Sequence, residues 1–260
     1  MIDSLIIGSG KTQFCLHLTA QCCLEGLRSI YIDTEHTFSS TRLLNMIGSF
    51  DSKQEQLLEL VRLETIFDSD ALMNILTRIE NEFEEEKHEN PANPQHPALL
   101  IVDSIAAPLR MSTIGYTRDN ILLSFTDFAK RLATRYNLLV VVTNQVTTKR
   151  RSNVLSEKNL DNSSFGNDFY MSVALGKAWS YSVNVRLGIS YQGDKCRQLI
   201  VGKSIESPGY TIAFQILTNG LEELDNEENL NTQRRLMKKP MIPKLIQADE
   251  MQLIGKQIRP

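Results

Sequence analysis

Gly8-Ser9-Gly10-Lys11-Thr12 decides how the rest of the chain is read. The stretch follows a short apolar run, Leu5-Ile6-Ile7, and passes directly into Gln13-Phe14-Cys15-Leu16-His17-Leu18, which reads as a helix. A strand, a glycine turn and a helix opening on Lys-Thr together make a cradle for phosphate. The glycines let backbone N–H groups close around phosphate oxygens, the lysine reaches the outer phosphates and the threonine hydroxyl ligates Mg²⁺. The full pattern G-x-x-x-x-G-K-[ST] asks for a glycine at position 5, where Leu5 stands. A Gly-Lys-Thr triplet also arises by chance in loops, so the remaining segments have to carry the assignment.

Outward from that loop, apolar runs end in polar or acidic residues. Arg28-Ser-Ile-Tyr-Ile-Asp33 is β-branched and aromatic and leads into Thr34-Glu35-His36-Thr37-Phe38. Ala98-Leu-Leu-Ile-Val-Asp103 is a continuous apolar run closed by an aspartate, as suits a central parallel strand covered by helices on both faces. Asp103 then stands where a second carboxylate would hold the Mg²⁺ hydration shell; an aspartate that simply ends a strand is the plain alternative. Leu138 to Thr143 is another buried strand, ending in Asn144-Gln145. The pattern predicts an α/β fold with a mostly parallel central sheet flanked by helices, and a nucleotide site at the carboxyl ends of its strands.

Between these runs, Leu43, Leu44 and Ile47 mark a helical patch, and a short strand is expected near Leu60–Leu63. Asp68-Ser69-Asp70 can cap a helix whose apolar positions Leu72, Ile75, Leu76, Ile79 and Phe83 follow the helical period. Glu82 to Pro97 is acidic and then proline-rich, and reads as a solvated connection in which His88 and His96 are too isolated for a metal site. Arg110 to Asn120 reads as a loop before a helix marked by Ile121, Phe125, Phe128, Leu132 and Tyr136. Thr147 to Ser172 is long, polar and aperiodic, the kind of loop that is usually functional or disordered. It carries Lys149-Arg150-Arg151, then Phe165, Phe169 and Tyr170, a combination suited to phosphate contacts and base stacking on single-stranded nucleic acid. On composition alone a solvated charge run would serve equally.

Three strand-like runs come next, Val183–Tyr191, Arg197–Val201 and Tyr210–Leu217, with a tight turn at Gly193-Asp194 that predicts antiparallel pairing at the end of the sheet. From Glu222 the composition shifts to an acidic, asparagine-rich segment and then basic doublets, Arg234-Arg235 and Lys238-Lys239. The expected division is a core over residues 1–221 and a polar tail over 222–260, the doublets serving as a nuclear import signal.

With 42% hydrophobic and 23% charged residues, the 260-residue chain has ample material for one core. A net charge of −3 rules out a generally polyanion-binding surface, so contact with nucleic acid requires a local basic patch. Cys15, Cys22, Cys23 and Cys196 lack metal-ligand spacing, and those on the first helix read as small buried hydrophobes in a reduced compartment. No apolar run reaches membrane-spanning length.

Taken together, GSGKTQF (8–14), YIDTEHTF (31–38), LLIVDSIAAPLR (99–110), VVVTNQVTTK (140–149), ALGKAWSYSVNVRL (174–187) and YTIAFQI (210–216) resemble the RecA-type recombinase family. The specific resemblance is to the eukaryotic paralogues that assist the main strand-exchange recombinase. IAAPLR, TNQVTTK and ALG-x-x-W point to the branch with the C-type paralogue and X-ray cross-complementing group three. The resemblance implies a RecA-like core, ATP and Mg²⁺ as cofactors, and single-stranded DNA, sister paralogues and the main recombinase as partners. A nuclear role in homologous-recombination repair is implied as well, meiotic recombination included.

Residue by residue, it implies that Gly8, Ser9 and Gly10 form the cradle, and that Lys11 and Thr12 bind phosphates and Mg²⁺ with Asp103. Gln13 sits at the nucleotide and Arg42 lies near the adenine. Glu35 orients and deprotonates the attacking water, and Gln145 senses the terminal phosphate. Arg110, Lys149, Arg150 and Arg151 lie on two DNA-facing loops, 110–120 and 147–172. Lys203 is assigned to a neighbouring protomer's nucleotide, and His36 to the surface. The chain departs from the pattern at Leu5, in its tail, and in starting where the family has more sequence, so the N-terminal helical domain and polymerising linker are expected to be absent. These departures keep a non-hydrolysing scaffold open beside a weak DNA-stimulated ATPase. A ring-forming RecA-type motor such as a replicative helicase is a third option, disfavoured because no appended helicase domain is visible in the sequence.

Overall fold

The computed structural model describes residues 2–4, 8–48, 56–89, 96–110, 115–150, 169–173, 175, 179, 181–191, 195–204 and 209–224, with 2–4, 115–117, 146–150 and 169–173 given by backbone alone. Position 5 and the 151–168 stretch, including Arg151, lie outside these residues, as do Gly193, Asp194 and the tail from 225.

The centre of the molecule is built from β2 (Ser29–Asp33) and β4 (Leu99–Asp103), each buried at every position. Strands apolar on both faces need cover on both faces. Ile30, Ile32, Leu100 and Val102 point into one core, shared with Leu72, Leu76, Ile79 and Phe83 of α3 (Ser69–Glu89) and Phe125, Phe128 and Leu132 of α5 (Gly115–Tyr136). Tyr31, Leu99 and Ile101 point into the other, with Cys15, Leu16 and Cys23 of α1 (Lys11–Leu24) and Leu43 and Met46 of α2 (Ser40–Ile47). A short helical turn, α4 (Ala106–Leu109), succeeds β4.

Among the described residues nine strands form the main sheet, in the order β11-β10-β9-β8-β1-β5-β4-β2-β3. β1 (Ile2–Ser4), β3 (Val61–Thr65) and β5 (Leu139–Asn144) complete the parallel part with β2 and β4, and β8 (Arg186–Tyr191) runs parallel to β1. From β8 onward, β9 (Cys196–Lys203), β10 (Thr211–Leu217) and β11 (Gly220–Glu223) are antiparallel. The α/β architecture and the late antiparallel strands are thus as the sequence predicts; β11, with only one large apolar residue, gave no strand signal.

Three expectations need correction. Glu82 to Glu89 is helix, the end of α3, and not a solvated connection. Phe83 continues the buried stripe, while the acids are held by arginines: Glu80 by Arg131, Glu84 by Arg135, and Glu82 by Arg62. α5 begins at Gly115, inside the stretch read as a loop to Asn120. The 147–172 segment is extended at both ends: β6 (Val146–Arg150) pairs antiparallel with β7 (Phe169–Val173) as a separate hairpin, setting Lys149 opposite Tyr170 and Arg150 opposite Phe169.

Other local readings hold. Asp68 caps α3 by accepting from the Ala71 N–H at 2.7 Å. Cys15, Cys22 and Cys23 are fully buried, and burial pushes the thiols of Cys22 and Cys23 up to about 12 and about 11. His96, by contrast, does not stand in a solvated connection and instead packs its ring against Phe83 and Tyr136.

Candidate functional site

Parallel register brings the ends of four strands to one edge. Asp33 lies directly beside Asp103, Val102 beside Val142, and Ile2 and Asp3 beside Thr143 and Asn144. The residues just past each strand therefore meet over the carboxyl edge of the sheet, where open α/β folds place ligands.

The loop leading into α1 supplies the first part. Gly8 and Gly10 have φ of 78° and 110°, left-handed values that a residue with Cβ adopts only under strain. A Cβ on Gly10 would also stand 2.8 Å from Ile216 Cδ1. Gly10 caps α1 without a side-chain hydrogen bond, and the first turn has no acidic residue, so its N–H groups and helix dipole meet no anionic side chain of their own turn. Ser9 is fully buried, and its Oγ has no hydrogen-bond partner among the described residues. An orphaned hydroxyl inside a glycine loop at a bare helix start fits a phosphate oxygen. Lys11 is the first residue of α1 and half-buried.

Asp103 is the second part. It is 4% exposed, and its Oδ2 accepts from Thr12 Oγ1 at 2.7 Å and from the Tyr31 hydroxyl at 2.8 Å. Its Oδ1 accepts from Thr143 Oγ1. Burial, with nearby Cys15 and Asp103, raises the Tyr31 phenol far above its ordinary value, so it stays a neutral donor. The Thr12–Asp103 pair is the hard-oxygen set that a Mg²⁺ with several waters takes.

Glu35 forms the third part. Its Oε1 accepts from Ser104 Oγ at 2.6 Å and from Gln145 Nε2 at 2.7 Å, and Arg110 Nη2 lies 3.8 Å from the same oxygen. Arg110 in turn donates to Gln145 Oε1. The backbone that carries Glu35 is shaped from behind: Asp33 accepts from the N–H groups of Glu35, Thr37 and Phe38. Thr34 locks the strand ends together, donating to the Ser104 carbonyl at 2.8 Å and accepting from its N–H at 2.7 Å. His36 points away and stacks on Phe67.

Of the residues singled out from sequence, Thr12, Asp103, Glu35, Gln145 and Arg110 thus gather at one edge beside the glycine loop. Arg42 and Gln13 form a second group: Arg42 Nε donates to Gln13 Oε1 at 2.6 Å, and its other nitrogens donate to the carbonyls of Leu217 and Thr218 at 2.6 Å and 2.5 Å. This group ties α1 and α2 to the β10–β11 turn. Lys149 and Arg150 lie on β6, which starts directly after Gln145. Lys203 Nζ donates to the carbonyls of Tyr181 and Val183, holding that short segment to β9. Sequence reading missed Tyr31, Ser104 and Thr143; for Ser104 and Thr143 a hydroxyl at or beside a strand's carboxyl end was the available signal, whereas Tyr31 lies mid-strand in β2.

Sheet order, glycine loop and paired strand-end carboxylates define a RecA-like P-loop NTPase core. Among the described residues there is no cluster of three or more His, Cys, Asp or Glu side chains for a metal, and no helix long and apolar enough to cross a membrane. The chain belongs to the Rad51 family, whose model, described as Rad51, matches residues 7–224. It is similar to the DNA repair protein RAD51 homolog 2 of Homo sapiens, 30% identical over 241 residues that cover 82% of this chain and 60% of the human protein. The Mus musculus protein of the same name is also 30% identical, over 82% of this chain and 66% of its own length. That of Arabidopsis thaliana is 29% identical, over 84% and 62%. The chain therefore spans less than two thirds of the length of these relatives. Their shared name is homolog 2, whereas the motifs alone pointed to the C-type and cross-complementing group three branch.

Proposed function

We propose that the chain is the ATP-binding core of a recombinase paralogue that assists homologous-recombination DNA repair in the nucleus, with a homolog 2-like subtype favoured by the named relatives. Its partners in this reading are single-stranded DNA, sister paralogues and the main strand-exchange recombinase. The observation that carries it is the Thr12–Asp103 hydrogen bond at the strand edge where Glu35 and Gln145 also meet.

At that edge the Gly8–Gly10 backbone and Lys11 would hold the phosphates of ATP, and Thr12 and Asp103 the Mg²⁺. Bound Mg²⁺ supplies charge neutralisation on the phosphates. Glu35 orients a water and accepts its proton, held in place by Ser104 and Gln145, so that hydrolysis rests on positioning and electrostatics. Gln145 connects this carboxylate to the β6–β7 hairpin, whose Lys149 and Arg150, with Arg151 beyond, would meet DNA phosphates.

The test pairs two variants of the full chain. Lys11→Ala is expected to abolish binding of Mg²⁺·ATP, and Glu35→Gln to keep binding and lose turnover. Wild-type affinity in Lys11→Ala would refute the reading. A non-hydrolysing scaffold, docking other paralogues through the same fold, is the second reading. It is favoured by Glu35, whose Oε1 already receives two hydrogen bonds and faces Arg110. Binding without turnover in wild type would select it.

A further inference from the structure

Two side chains outside every recognised motif grip the glycine loop from behind. Tyr191, the last residue of β8, donates its hydroxyl to the Gly8 carbonyl at 2.6 Å. Arg197 on β9, directly across from Tyr191 in the ladder, donates Nε–H to the Ser9 carbonyl at 3.0 Å. Its guanidinium lies 5.0 Å from the centre of the Tyr191 ring, and Nη1 is 3.5 Å from the Lys195 carbonyl. The two side chains thus brace each other while each takes one loop carbonyl.

A trans peptide is planar, so the C=O of one residue and the N–H of the next point in opposite directions. Turning the Gly8 carbonyl toward Tyr191 turns the Ser9 N–H away from it; turning the Ser9 carbonyl toward Arg197 does the same for the Gly10 N–H. Those are two donors of the phosphate cradle. Without the clamp, Gly8 and Gly10 are the residues with the most conformational freedom to lose on ordering. A loop ordered beforehand spares the ligand that cost.

We propose that Tyr191 and Arg197 are positioning residues that aim the Ser9 and Gly10 N–H groups at the phosphates of a nucleoside triphosphate. The inference rests on the reading that the loop takes such a ligand. Its test uses the full chain and a fluorescent ATP analogue with Mg²⁺, together with amide exchange of the 8–14 segment in nucleotide-free protein. Tyr191→Phe keeps the ring against Arg197 and removes only the hydroxyl; a neutral hydrogen bond of ordinary worth predicts roughly 3- to 10-fold weaker binding. Arg197→Ala removes a charged donor and is expected to weaken binding roughly 10- to 100-fold, with Arg197→Lys recovering part of the loss.

In each variant exchange at Ser9 and Gly10 should quicken while β2 and β4 amides and the urea midpoint stay close to wild type. A purely structural role would move the midpoint and the strand amides together with the loop, and would overturn the proposal. Should Arg197→Ala not fold, the milder Tyr191→Phe decides it. Wild-type affinity and loop exchange in Tyr191→Phe would overturn the clamp and leave the nucleotide reading standing. A wild-type chain that fails to bind Mg²⁺·ATP would instead remove the nucleotide reading and the clamp's purpose with it.

Discussion

Tyr31→Phe isolates one hydrogen bond at the heart of the site. The ring is fully buried and meets Phe38 edge-on at 4.9 Å, a contact that phenylalanine preserves. The change removes the 2.8 Å bond to Asp103 Oδ2. Hydrogen bonds to charged groups are worth about 1.5–3 kcal/mol. Asp103 Oδ2 keeps Thr12 as a donor, so the carboxylate is not orphaned and the lower end applies, about 1.5 kcal/mol. No cavity beyond a single oxygen is left, and no packing term adds to it. For a domain of this size that corresponds to a fall in Tm of about 3–6 °C. Urea unfolding monitored by far-UV circular dichroism, without nucleotide, should show a lower midpoint at an unchanged slope. A double-mutant cycle with Asp103→Asn should recover most of the loss as coupling energy. A stability change under about 0.5 kcal/mol, or additive single variants, would refute the claim that this phenol organises the carboxylate.

The β6–β7 hairpin makes a salt-dependence prediction: neutralising Lys149, Arg150 and Arg151 together should weaken single-strand binding and reduce the slope of log K against log salt by about 2, read by fluorescence anisotropy. Arg110→Ala removes the donor on Gln145 and the cation 3.8 Å from Glu35, so the ATPase rate without DNA should rise. An unchanged DNA-free rate would show that this cation does not restrain Glu35. His17 accepts from the Leu221 N–H through Nδ1 at 3.4 Å, and burial, with Arg42 nearby, lowers its pKa. The unfolded chain then takes up the proton first, so this contribution is complete above the ordinary histidine value of about 6.5 and is lost as pH falls below it. Urea midpoints from neutral to mildly acid pH should fall more steeply in wild type than in His17→Gln. Gly220→Ala, with φ at 130° and a Cβ 2.6 Å from His17 Nδ1, should cost about 1–3 kcal/mol by the same unfolding assay.

Much of this molecule was legible in one dimension. Runs such as Leu99–Val102, apolar at every position, are satisfied as strands covered on both faces, and that requirement points to a parallel sheet between helix layers. Glycines before Lys11-Thr12 admit the left-handed backbone that the loop adopts, so the cradle was also local information. The helical end of α3 was not local. Glu82 to Glu89 looks solvated until Arg62 and Arg135 arrive from a strand and another helix to hold Glu82 and Glu84. The same holds for the 147–172 segment, whose ends become strands only by pairing with each other.

Composition and pattern therefore determined the central strands and the helices that cover them, which of their faces is buried, and where a phosphate would meet the chain. Tertiary structure alone decided which hydroxyls surround Asp103, that Arg110 reaches both Gln145 and Glu35, and that Tyr191 and Arg197 hold the loop across more than 180 residues of chain. The physical reason is that backbone conformation and burial arise from near-neighbour chemistry and a repeating period, whereas a hydrogen bond between distant side chains depends on register and crossover. One sequence position carries no mark of the partner that folding will set beside it.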